Sequence, residues 1–153
     1  MPAARSAADD VVIPALLRAA RGAYGHAIRD RLVAAGFDDV PRNGAHILGG
    51  MGNHGVPASD LIRQLGVTKQ AASQLIDTLV VRGYVTRETD SEDRRRLTLE
   101  LTDRGRAAAG AVRAGVLAVD AELTKRLSPA GIAGLRDGLV ALCEIRERTE
   151  QQS

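Results

Sequence analysis

Apolar residues recur at helical spacing from Asp9 to Ala35: Val12, Leu16, Ala20, Ala23 and Ala27 form one stripe, with Leu17, Tyr24 and Ile28 beside it. The spacing predicts an amphipathic helix, with Pro14 tolerated near its start and Ala35-Gly36 as its stop. Asn43 is read as the cap of a second helix over Gly44 to Met51, whose glycines make it a poor intrinsic helix former. Gly55 closes that segment and Val56 is a short extended link. A third helix opens at Ala58 or Ser59, turns Leu61, Ile62 and Leu65 inward and stops at Gly66. Thr68 then caps a fourth helix. Ala71, Ala72, Leu75, Ile76, Leu79 and Val80 are its expected buried stripe, and Lys69, Gln70, Ser73, Gln74 and Asp77 lie on the other face.

Beyond the stop at Arg82-Gly83 the period changes from helical to alternating. Tyr84 to Glu88 reads as a strand, Thr89 to Arg95 as a turn, and Leu97, Leu99 and Leu101 alternate with Thr98 and Glu100 as a half-buried second strand. Thr102 caps a long helix running to about Leu127. Ser128-Pro129 opens a last helix, in which Ile132, Leu135, Leu139, Leu142 and Ile145 recur at helical spacing. There is no internal repeat and no low-complexity linker.

Two helices meeting at Gly66-Val67 suggest a helix-turn-helix, the glycine permitting the tight turn. Taken alone that pattern is common; the strand, charged tip and strand that follow make it specific. Thr68, Lys69, Gln70, Ser73 and Gln74 cluster at the start of the fourth helix, where free backbone N–H groups and the helix dipole favour phosphate. Glutamine pairs with adenine edges, and lysine reaches guanine or phosphate. The tip Asp90-Ser91-Glu92-Asp93-Arg94-Arg95-Arg96 mixes signs, so that acidic neighbours can hold one arginine while another projects. A guanidinium in a narrow minor groove gains from the negative potential there. The competing reading is a solvated turn with weak internal ion pairs.

The run LGVTKQAASQLIDTLVVRGYVTR followed by DSEDRRRLTLELTDRG resembles the MarR family of bacterial transcriptional regulators, specifically from about Pro57 to Arg106. The resemblance implies a mostly α fold: a winged helix-turn-helix over 41–106, with helices at 9–40 and 107–150 forming a homodimerisation domain. It also implies a repressor that binds a pseudo-palindromic double-stranded operator and is released by a small aromatic or phenolic ligand. By position, Thr68, Lys69, Gln70, Ser73 and Gln74 resemble the major-groove face. Arg95, flanked by Arg94 and Arg96 and supported by Asp93, resembles the minor-groove wing arginine. Gln74 and Thr78 stand where the family often has basic residues. Tyr24, Ile28, His46 and Met51 are the ligand candidates, with Ala45, Gly49 and Gly50 leaving space.

Composition adjusts this picture. At 153 residues the chain is about one domain's worth. Its only aromatic residues are Tyr24, Phe37 and Tyr84, so the core must be aliphatic. Net charge is only +2, so a nucleic-acid reading rests on where the arginines sit. The alternative is a winged protein-interaction module without DNA binding. A salt titration separates the two, since DNA affinity falls steeply with salt. Single Cys143 excludes an intrachain disulfide and reads as a small buried hydrophobe. No catalytic motif appears, and the histidines show no metal-ligand spacing with Cys143, so neither an enzyme nor a cofactor or metal is expected. The start has no signal-peptide character and no stretch suits a membrane span, so a cytoplasmic protein is expected.

Overall fold

The computed structural model describes residues 12–51, 55–89 and 97–151, with the side chains of residues 64, 65, 150 and 151 left aside. The elements run α1 Ile13–Ala34, α2 Gly44–Gly50, β1 Val56–Pro57, α3 Ala58–Leu65, α4 Lys69–Val81, β2 Val85–Thr89, β3 Leu97–Leu101, α5 Asp103–Arg126 and α6 Pro129–Gln151. The fold is mostly helical, with a small three-stranded antiparallel sheet in the order β1-β3-β2. Two compact units divide it, residues 1–116 and 117–153. Among the described residues no helix is long and apolar enough to cross a membrane.

The core lies in the first unit. Ile47 and Leu48 from α2, Met51 just after it, Leu61 from α3, Ala72, Ile76 and Leu79 from α4, Tyr84, Val85 from β2, Leu99 from β3 and Ala108, Ala109 and Val112 from α5 are all buried. Leu79, Leu99 and Tyr84 lose all solvent contact. At about 25 cal/mol per Å² of apolar surface, each fully buried leucine stabilises the fold by roughly 1.5–3 kcal/mol. The aliphatic core expected from the composition is what forms, with Tyr84 as its one large aromatic member.

Several local expectations need correction. Asn43 makes no side-chain cap, because its own backbone is already helical (φ −83°, ψ −14°), and Gly44 N–H is satisfied by Pro41 O at 2.7 Å instead. Ala71 is exposed; the buried stripe of α4 narrows to Ala72, Ile76 and Leu79, with Leu75 and Val80 partly covered. The Val56 link is a strand: Val56 pairs with Leu99 and Pro57 with Thr98, which gives β3 a neighbour on each side. Leu97 is 42 % exposed, so the alternation on β3 buries only Leu99 and Leu101. Cys143 is exposed, as are Leu135, Leu139, Leu142 and Ile145 of α6, so the stripe of that helix is uncovered in the single chain.

Candidate nucleic-acid interface

Gly66 takes φ +62°, the left-handed region that a side chain resists, and so turns the chain sharply from α3 into α4. Thr68 then caps α4: its backbone is extended and its Oγ1 accepts from Ala71 N–H at 3.2 Å. The remaining amides of the first turn keep their donors free for an external acceptor. α4 turns Ala72, Ile76 and Leu79 to the core and leaves Thr68, Lys69, Gln70 and Gln74 exposed and Ser73 half-buried. Thr78 directs its hydroxyl back to Gln74 O at 2.9 Å, so that oxygen is engaged within the helix.

The wing strands follow at once. β2 and β3 pair from Val85 with Leu101 to Thr89 with Leu97, and the residues at 90–96 continue from that end. Arg94, Arg95, Arg96 and Asp93 lie outside the described residues. Arg87 of β2 donates to Asp77 Oδ1 of α4. This exposed ion pair links the wing strand to α4, and it neutralises the one carboxylate of that helix.

The base of the wing is locked by a cluster the sequence did not announce. Arg104, in the first turn of α5, donates to Asp39 Oδ1 and to the Tyr84 hydroxyl, each at 3.0 Å. Its guanidinium lies 4.6 Å from the Tyr84 ring centre and 5.7 Å from that of Phe37. The Tyr84 hydroxyl donates to Asp39, and Arg82, at the end of α4, donates to the Asp39 backbone carbonyl. The Tyr84 hydrogen bond, helped by the Arg104 charge, holds the Asp39 carboxyl below the usual carboxylate range. Burial, followed by the Asp39 carboxylate, pushes the Tyr84 phenol up. Thr102 Oγ1 donates to Gly83 O at 2.6 Å and accepts from Gly105 N–H at 2.9 Å. A Cβ at Gly105 would stand 1.9 Å from Tyr84 O, so the Leu101-Thr102-x-x-Gly105 pattern is the clamp that seats α5 on the wing base.

Residues 38–96 match a family model described as the MarR family. Solved structures with the same fold include MarR (TM-score 0.70, 20% identity, covering 94% of this chain and 97% of that one). MepR of S. aureus in its DNA-binding conformation follows the fold at TM-score 0.75 and 20% identity, covering 88% and 98%. FabT of Streptococcus pneumoniae in complex with DNA gives TM-score 0.71 and 23% identity, covering 90% and 96%. Over residues 38–96 this chain is similar to the MarR family, and the solved structures share its fold. No curated protein matches the sequence.

Of the ligand candidates suggested by the MarR resemblance, Tyr24, Ile28 and His46 line one groove of about 690 Å³, walled by α1, the α1–α2 connection and α2. Met51 does not line it; at 2 % exposure it belongs to the core under α2. Sequence reasoning missed Arg18, Arg21, Arg29 and Arg42, which line the same groove. Arg18, Arg21 and Arg29 share one face of α1 by helical spacing, opposite the apolar stripe, and Arg42 stands in the connection to α2.

Proposed function

We propose that this chain is a sequence-specific transcriptional regulator, a repressor that binds a pseudo-palindromic operator as a homodimer and releases it when a small ligand is bound. The observation that carries the DNA reading is the division of α4: an apolar face buried to the last atom at Ala72 and Leu79, and a polar face, capped by Thr68, open to solvent beside the wing. A helix of this kind presents amides and a positive dipole to phosphate, and Gln70 and Gln74 to base edges. Three structures of this fold, FabT, CouR and a Listeria monocytogenes regulator, contain DNA. The wing arginine, Arg95 with Arg94, Arg96 and Asp93 around it, is assigned to the minor groove.

The dimer reading is supported by apolar surface that a single chain leaves uncovered. On α1 Ile13, Leu16 and Leu17 are exposed, and on α6 Leu135, Leu139, Val140, Leu142 and Ile145. A two-fold partner would bury such faces and would repeat the reading helix at about 34 Å, one turn of the duplex.

Titrating promoter fragments tests the proposal. The wild-type chain should bind one fragment selectively, with affinity falling as salt rises. Arg95→Ala should weaken binding at least about tenfold, whereas Gln70→Ala or Gln74→Ala should change sequence preference more than overall affinity. A chain that binds no promoter fragment at low salt refutes the regulator; normal binding by Arg95→Ala refutes the wing assignment.

A further inference from the structure

The groove beside α1 has a charge pattern that narrows the chemistry of its occupant, an argument that rests on the effector reading above. Arg18, Arg21, Arg29 and Arg42 line it together with His26 and His46, and among the described residues no aspartate or glutamate lines it. Among the described residues none of the four guanidiniums has an ion-pair partner. Between them the wall is apolar, formed by Ile28, Leu32, Val40 and Ala45.

Position along the helix gives the spacing. Arg18 and Arg21 are neighbours one turn apart, and Arg29 returns to the same face three turns after Arg18, about 16 Å along the axis. The three α1 cations thus flank an apolar stretch and do not converge on one point, and Arg42 joins the lining from the α1–α2 connection. The apolar side of α1, Leu16, Ala20, Ala23 and Ala27, is the opposite face by the same helical geometry, so a partner helix packed there leaves the arginines uncovered.

The glycines of α1 support the same reading. Gly22 and Gly25 line the groove between Arg18 and Arg29, and a Cβ built on either would meet nothing within 4 Å. Glycine weakens a helix interior, and among the described residues no packing contact requires it at these two positions. What the two residues provide is width. A groove of about 690 Å³ accommodates more than a single ring. A neutral phenol would leave four cations unmatched, and one carboxylate satisfies one guanidinium in a bidentate pair.

We infer that the ligand of this groove is an elongated organic dianion: an apolar body with an anionic group toward each end. Arg18 and Arg21 hold one end, Arg29 and Arg42 the other, and the body lies along Ile28, Leu32 and Val40.

Calorimetric titration of the purified full chain with sebacate, decanoate and 1,10-decanediol, at constant ionic strength, tests this. The three probes share a ten-carbon body and differ in charge. Sebacate should bind at least tenfold more tightly than decanoate, and the diol should show no measurable binding. The double variants Arg18→Gln/Arg21→Gln and Arg29→Gln/Arg42→Gln should each reduce sebacate to the level of decanoate, with thermal melting confirming that both fold. Equal binding of all three probes, binding of none, or sebacate affinity unchanged in either double variant overturns the assignment. Operator binding measured on the same preparations separates the two readings. Lost sebacate selectivity with intact operator binding removes the ligand class alone. Intact selectivity without operator binding removes the regulator and leaves the groove.

Discussion

Replacing Gly22 and Gly25 by alanine should make the protein more stable. Both lie inside α1, where glycine costs about 0.8–1.0 kcal/mol relative to alanine, in large part through the freedom of the unfolded chain. The added methyl groups meet no atom within 4 Å, so no steric cost offsets that gain. The two substitutions should together contribute about 2 kcal/mol, which for a chain of this size raises the melting temperature by about 4–8 °C. The measurement is thermal unfolding followed by circular dichroism, at fixed protomer concentration because association shifts the midpoint. Gly25→Leu extends the argument: it keeps the gain in helix propensity but puts bulk into the groove, so it should remain folded and stable while sebacate binding falls. A lower melting temperature for the alanine pair would refute the reasoning, since it would mean that some surface packs on these glycines in solution and that the groove is not open.

Two further outcomes follow from the site. Thr68→Ala should destabilise the fold by about 1 kcal/mol in urea titrations, because the Ala71 amide loses its acceptor, and Thr68→Ser should restore most of it; equal stability of all three proteins would show that the cap is idle. Asp39 has its pKa lowered in the folded state, so it contributes stability above the usual carboxylate pKa, near 4, and loses that contribution as pH falls through its folded value. The stability difference between wild type and Asp39→Asn should therefore shrink as pH drops below about 4, and a difference that does not change between pH 6 and pH 3 would contradict it.

The helices and the wing were legible because each obeys a local rule. Thr68 is a strong cap, Gly66 can take the left-handed turn, and Leu99 and Leu101 alternate with polar residues on a strand. The exposed amide face of α4 was readable for the same reason, as the complement of a helical stripe. The parts that were missed depend on contacts far apart in sequence. β1 is only two residues long and exists because β3 offers Val56 and Pro57 an edge. The Asp39–Tyr84–Arg104 cluster joins residues separated by 45 and 20 positions, and none of the three has a local pattern that announces the contact. Met51 was a pocket candidate through the family resemblance alone, but it is buried in the core with Ile47 and Leu48.

The same geography explains how a ligand in the groove could bias DNA binding. An effector acts only through a difference in affinity between two states, so something must connect its site to the reader. Val40, Pro41, Arg42, Asn43 and Ala45 wall the groove. Within that short stretch Gly44 sits so close to α4 that a Cβ on it would lie 3.1 Å from Leu79 Cδ2 and 2.8 Å from Pro41 Cγ. One residue before Val40, Asp39 is bound to Arg82 at the end of α4, to Tyr84 at the wing base and to Arg104 of α5. A ligand that widens the groove pushes on a segment that touches α4 at Gly44 and is bound through Asp39 to the end of α4, to Tyr84 and to α5. Close-packed interfaces of this kind shift between discrete arrangements and do not deform smoothly. Coupling through this segment therefore requires neither a long chain of intermediates nor a contact between ligand and DNA.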